Sequence, residues 1–140
     1  MAHSNRVTSG PREPAIEDVL GPLGAAVMRV VWAQGESSVS SVVDALNAQR
    51  PRPYAYTTVM TIMARLFERG LLGREKRGRQ FMYHPASDER ALLETLSARA
   101  VDRLLARYGT TALRQFAARL ADADPELRSR ILTLAKRRSS

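Results

Sequence analysis

The residues best placed to do chemistry lie on one side of the stretch YTTVMTIMARLFERG: Tyr56, Thr57, Thr58, Met60, Thr61 and Arg65. An ordinary solvated helix face is rich in Glu and Lys. This one carries short hydroxyls, the small Ala64 and a tyrosine. Short side chains let a helix backbone come close to another surface, and a threonine there can hydrogen-bond a phosphate oxygen or meet a thymine methyl. The bland alternative is a plain surface helix. Bond-making chemistry finds no support, because the chain has no His/Asp/Ser constellation, no Gly-rich phosphate loop and no HExxH. His3 has no ligand partner nearby, and His84, next to Pro85, suits packing or a phosphate better than general-base work. Without cysteine there is no disulfide and no thiolate metal site. No catalytic residue, metal or cofactor is therefore expected.

A second group of residues lies just downstream. Lys76, Arg77 and Arg79 surround Gly78 between two short apolar runs, LLGRE and FMYH. Glycine at a strand reversal supplies the backbone freedom a hairpin turn needs, so 71–75 and 81–84 are predicted to pair, with the three cations at the tip. From Arg50 to Pro85 the cations Arg50, Arg52, Arg65, Arg69, Arg74, Lys76, Arg77 and Arg79 face only two acids, Glu68 and Glu75. The whole chain carries a formal charge of +8, almost all of its cations being Arg, whose planar fork matches phosphate. A basic balance alone also fits an anionic membrane. Concentration of the charge behind a helix with a bare, short-chained face favours nucleic acid.

The elements that must position these groups can be traced from periodicity. Val59, Ile62, Met63 and Leu66 recur at helical spacing opposite Thr57 and Thr61, and Gly70 sits where a left-handed residue would end the helix. Upstream, LGPLGAAVMRVVW predicts a helix over Leu20–Trp32, with Pro22 in its first turn and Trp32 as a core wedge. A short helix follows, capped by Ser40 and carrying Val42, Val43 and Leu46 inward. Arg50-Pro51-Arg52-Pro53 breaks it. Helix, short helix, broken turn, outward-facing helix and basic hairpin is the order of a winged helix-turn-helix. Residues 1–19, rich in Ser, Gly, Pro and charge, are expected to be a disordered arm, and 20–86 the winged domain.

Residues 87–140 carry three amphipathic helices. Ser87-Asp88-Glu89 starts the first, Thr110 or Thr111 caps the second, and Asp124-Pro125 starts the third. Their apolar side chains include Leu92, Leu96, Val101, Leu104, Leu105, Tyr108, Phe116, Leu120, Leu127, Ile131 and Leu134. That stripe exceeds what three short helices can bury alone, so a shared surface with a second copy is expected. The alternative is a helical appendage folded onto its own winged domain. The fold class expected is mainly α: a winged helix-turn-helix with a small hairpin wing, then a helical dimerisation segment. No apolar run approaches transmembrane length and the N-terminus has no signal-peptide core, so a cytoplasmic protein without membrane insertion is expected.

LGPLGAAVMRVVW, VSSVVDAL, AYTTVMTIMARLFERGLL and KRGRQFMYHP, at these spacings, make the chain resemble the penicillinase-repressor family of bacterial transcriptional regulators, the BlaI/MecI/CopY group. The resemblance runs from about Leu20 to the C-terminus. It implies a winged helix that binds a palindromic double-stranded DNA operator, C-terminal helices that build a homodimer, and, as in several members, a membrane-bound sensor metalloprotease as a further partner whose signal ends in cleavage of the repressor. Phase opposite Val59, Ile62 and Leu66 points Tyr56, Thr57, Thr58, Met60 and Thr61, with Arg65 on the flank, to the major groove of that DNA, and Lys76, Arg77 and Arg79 are expected to contact phosphates from the wing. The chain departs from the family pattern in three places. Gly24 and Ala26 stand where acids are common, the paired cysteines of the copper-responsive branch are missing, and there is no Asn-Phe bond of the kind cut in the best-known members. The competing function is a winged helix used for protein or RNA contact; the aromatics, mostly at core-phased positions, offer little of the stacking platform an RNA binder shows.

Overall fold

A computed structural model describes residues 15–139. The expected arm therefore lies outside the described residues up to position 14. Its last residues, however, are ordered structure. Helix α1 spans Ile16–Gln34, with a break at Gly21, and Ile16 is 0% exposed. The expected start at Leu20 is too late, because the Gly21-Pro22 break separates a first turn from the main helix without ending the packing. Glu17 in that turn pairs with Arg29 beyond the break, which ties the two parts together. The hydrogen bond from Arg29 holds the Glu17 carboxyl below its usual value.

Helix α2 spans Val39–Asn47, and its cap is Ser38 rather than Ser40. Ser38 Oγ accepts from the Ser41 N–H at 3.0 Å while Ser41 Oγ accepts from the Ser38 N–H at 3.1 Å, so two orphan donors are met reciprocally. The earlier start brings Val39 into the core beside Val42. Helix α3 spans Tyr56–Glu68. It ends as the sequence suggests: Gly70 takes φ 79°, its N–H donates to Phe67 O at 2.9 Å, and the Leu71 N–H donates back to Leu66 O at 2.9 Å. Only glycine adopts that conformation without steric cost, and the paired bonds satisfy carbonyls that would otherwise be orphaned.

Strands β1 (Leu72–Arg77) and β2 (Gln80–Pro85) form an antiparallel hairpin in which Arg77 faces Gln80. The reversal is thus the two-residue turn Gly78-Arg79. It is tighter than expected, and Lys76 and Arg77 belong to the strand rather than the tip. Tyr83 also exchanges backbone hydrogen bonds with Ser37, N–H to O at 2.7 Å and back at 2.8 Å. β2 therefore lies between β1 and the segment that leaves α1.

Helices α4 (Glu89–Tyr108), α5 (Thr110–Asp122) and α6 (Pro125–Ser139) follow. Asp88 caps α4 by accepting the Ala91 N–H, and Asp124 caps α6 by accepting the Leu127 N–H. Gly109, not a threonine, occupies the cap position of α5. The described residues divide into two compact units, with the boundary between Ser97 and Ala98 inside α4. In the first, Ala25, Val27, Met28 and Val31 of α1, Val42 of α2, Val59, Met63 and Leu66 of α3, Leu72 and Tyr83 of the hairpin and Leu92 and Leu96 of α4 make one core. Trp32 is packed against it as expected of a wedge, and its indole N–H donates to Ser87 O at 2.8 Å, anchoring the entry to α4. Leu92 and Leu96, expected on a surface shared with a second copy, are thus spent inside the first unit. In the second unit Val101, Leu104, Leu105, Tyr108, Leu113, Phe116, Leu132 and Leu134 are exposed, while Leu120, Leu127 and Ile131 are half-buried.

Ile16 carries a clear expectation. A fully buried isoleucine cut back to alanine loses transfer free energy and leaves a void, so Ile16→Ala should destabilise the first unit by roughly 2–5 kcal/mol. Urea unfolding of full-length protein reads this directly. A cost near zero would mean that the turn before Gly21 is not part of the core.

Candidate nucleic-acid interface

Three restraints fix α3. Val59 and Met63 are 0% exposed and Leu66 nearly so, which sets the rotation of the helix about its axis. At its N-terminal side, Asn47 acts as a clip: its Oδ1 accepts the Tyr54 N–H at 2.8 Å and its Nδ2 donates to Tyr54 O at 3.0 Å. The Arg50 guanidinium lies 4.0 Å over the Tyr54 ring and its Nε donates to Arg52 O. The broken turn between α2 and α3 is therefore a built corner, although it holds two prolines and two arginines. The paired bonds after Leu66 fix the other end.

What those restraints leave bare is the face picked out from sequence. Tyr56 is 49% and Met60 41% exposed, and Thr57, Thr58, Thr61 and Arg65 are exposed with them. From position 56 to 65 the side chains able to hydrogen-bond are three threonines, one tyrosine and Arg65. The surface is thus made for close approach and apolar contact, with few long donors.

The wing is joined to α3 by a residue that sequence inspection passed over. Arg74 lies between Phe67 of α3 at 4.0 Å and Phe81 of β2 at 3.9 Å, measured to the ring centroids, and its Nη1 donates to Tyr83 Oη at 3.2 Å. Stacking between two rings stabilises a guanidinium that is partly withdrawn from water. The signal was available in the hairpin register, where Arg74 pairs with Tyr83 and lies diagonal to Phe81. His84 has a packing role: it lies across Gly73, where an added Cβ would come within 2.3 Å of its Nε2.

The three expected wing cations are not equivalent. Lys76 and Arg79 are exposed and make no ion pair among the described residues. Arg77 is exposed but engaged: Nη1 donates to Glu36 Oε1 at 2.8 Å, and Nη2 donates to Glu36 Oε2 at 2.5 Å and Glu75 Oε1 at 2.7 Å. Hydrogen bonding to Glu36 first, and to Glu75 second, raises the guanidinium above its ordinary value. Glu36 stands 41 residues from Arg77, and no local pattern announces the pair.

Three helices packed on a basic hairpin, with one edge completed by Ser37, are the arrangement of a winged helix-turn-helix domain. Residues 20–136 match the profile of the penicillinase repressor family, and the chain belongs to that family. It is 30% identical over 77 residues to the penicillinase repressor of Bacillus licheniformis, an alignment covering 55% of this chain and 59% of that one. It is 32% identical over 78 residues to a 16.5 kDa protein of Latilactobacillus sakei, covering 56% and 52%. The chain thus spans little more than half the length of these relatives. Among solved structures, the DNA-binding domain of the repressor BlaI is 30% identical and superposes with a TM-score of 0.43, covering 48% of this chain and 79% of that one.

The Asn47 clip can be tested without DNA. Asn47→Ala removes both bonds to Tyr54 and should cost about 1–3 kcal/mol, with faster hydrogen exchange at the Tyr54 amide than elsewhere in the first unit. Unchanged exchange at Tyr54 would show that the corner is held by other means.

Proposed function

We propose that the protein is a DNA-binding transcriptional repressor that binds a palindromic operator as a homodimer in the cytoplasm. The observation that carries this is the face of α3: a helix buried on one side presents a bare stripe of hydroxyls, methionine and tyrosine beside a basic wing. In the reading offered, Tyr56, Thr57, Thr58, Met60 and Thr61 meet base edges in the major groove, with Arg65 at the flank and Lys76 and Arg79 on phosphates. Family membership supports the repressor role. No described helix is long and apolar enough to cross a membrane.

The homodimer rests on the second unit. Leu104 is 49% and Phe116 58% exposed, and they line an open groove of about 480 Å3 with Tyr108, Thr111, Ala112 and Gln115. Clustered exposed apolar surface of this kind is what an obligate partner covers. Two copies would offer two α3 helices to successive turns of one DNA face, roughly 34–36 Å apart or a multiple of that. The sensor protease implied by the family resemblance would need a scissile bond other than Asn-Phe.

Two experiments test the parts separately, using a duplex enriched by the full-length protein from a random library. Thr57→Ala and Thr61→Ala should each cost roughly 1–3 kcal/mol on that duplex and relax base preference at one position per half-site. Variants that fold by circular dichroism yet keep wild-type affinity and preference would remove these threonines from the interface. Leu104→Asp with Phe116→Asp, both at exposed positions, should sediment as a monomer at micromolar concentration and bind the duplex far more weakly. A wild-type protein that sediments as a monomer and still binds tightly would contradict the dimer.

A further inference from the structure

The wing cation with the most elaborate surroundings is the one least suited to a phosphate. Two carboxylates close on the Arg77 guanidinium, Glu36 through both of its oxygens and Glu75 through one. One positive charge against two negative ones leaves the cluster with a net negative count, which repels a phosphate oxygen. Lys76 and Arg79, the neighbours on either side, make no ion pair among the described residues and are exposed.

The geometry also shows what the cluster holds together. β2 lies between β1 and the Ser37 segment, because Tyr83 bonds Ser37 on one edge and faces Arg74 of β1 on the other. Arg77 is on β1 and Glu36 directly precedes Ser37. Their fork therefore crosses β2 and joins the two outer pieces of the sheet, Arg77 reaching from the turn end of β1 to the acid beside the Ser37 bridge. A single exposed ion pair contributes little, but a bidentate fork shared with a second carboxylate is the geometry in which such pairs do contribute.

We propose that Arg77 is a positioning residue: held by Glu36 and Glu75, it fastens the wing to the segment after α1 and so sets where Lys76 and Arg79 meet DNA, without itself contacting a phosphate. This rests on the DNA-binding reading and replaces the sequence-based expectation that Arg77 is a phosphate ligand. It also gives Glu36, an acid beside a surface for a polyanion, a reason to be there. If Glu36 merely competed with phosphate for Arg77, removing its charge would strengthen binding. If Glu36 holds the wing, removing its charge weakens binding even though the surface becomes more positive.

The sign of that change is the test. Affinity of full-length protein for a fluorescent duplex enriched from a random library is followed by anisotropy across a salt series, for wild type, Glu36→Gln, Arg77→Glu, the charge swap Arg77→Glu with Glu36→Arg, and Arg79→Ala. The proposal expects Glu36→Gln to bind roughly two- to fivefold more weakly, and the swap to recover most of what Arg77→Glu loses. Arg79→Ala should lower the salt slope by about one, as the loss of a phosphate contact does. Tighter binding by Glu36→Gln, or a swap no better than Arg77→Glu alone, would overturn the positioning role while leaving the DNA-binding reading intact. Failure of the wild-type protein to enrich or bind any duplex would overturn that reading, and this inference with it.

Discussion

Burial of Val59, Met63 and Leu66 is the constraint on which the rest of the molecule depends. Each such side chain is worth roughly 1.5–3 kcal/mol when withdrawn from water. Rotating α3 by one residue would bring a threonine or Met60 into the core and push Met63 out. The cost of that misfit fixes which stripe faces away. Because helical residues four apart lie one above the other, fixing the inner stripe also fixes Tyr56, Met60 and Ala64 in one column and Thr57 and Thr61 in the next. The candidate interface is the complement of the core.

Rotation is only one of the freedoms that must be removed. The Asn47 clip and the stacked Arg50 fix where the helix begins, and the glycine turn at Gly70 fixes where it ends and in which direction the chain departs. Arg74, between Phe67 and Phe81, then couples the hairpin to the end of α3, while Tyr83 couples it to Ser37. Trp32 and Ser87 pass the same frame on to the start of α4. A chain with a modest core thus uses polar and cation–aromatic contacts at each corner where apolar packing alone would leave an angle undetermined. These corners are also where a surface that must match another rigid surface needs accuracy.

Much of this was legible in the sequence for a physical reason: helix α3, the hairpin and the caps at Asp88 and Asp124 are specified by residues within a few positions of one another. Periodicity shows that a stripe is apolar but not what covers it. Leu92, Leu96, Val101 and Leu104 look alike in sequence, yet the first two are consumed by the chain's own core and the last two are exposed. Likewise Gly21-Pro22 resembles a helix start, and only the core itself shows that Ile16 lies inside it. Ser38 and Ser40 are both good caps on composition, and the burial of Val39 decides between them. The contrast between Arg77 and its neighbours was beyond reach, since it depends on a carboxylate far away in the chain.

The central claim is that the bare stripe of α3 and the wing together form the surface that meets DNA. Amide chemical-shift mapping of the full-length protein, titrated with a duplex that it enriches from a random library, tests this most directly. The account expects the largest changes at residues 56–61 and 76–79, with smaller ones at the core positions of α1. Changes concentrated elsewhere, with residues 56–61 unmoved at saturation, would contradict it.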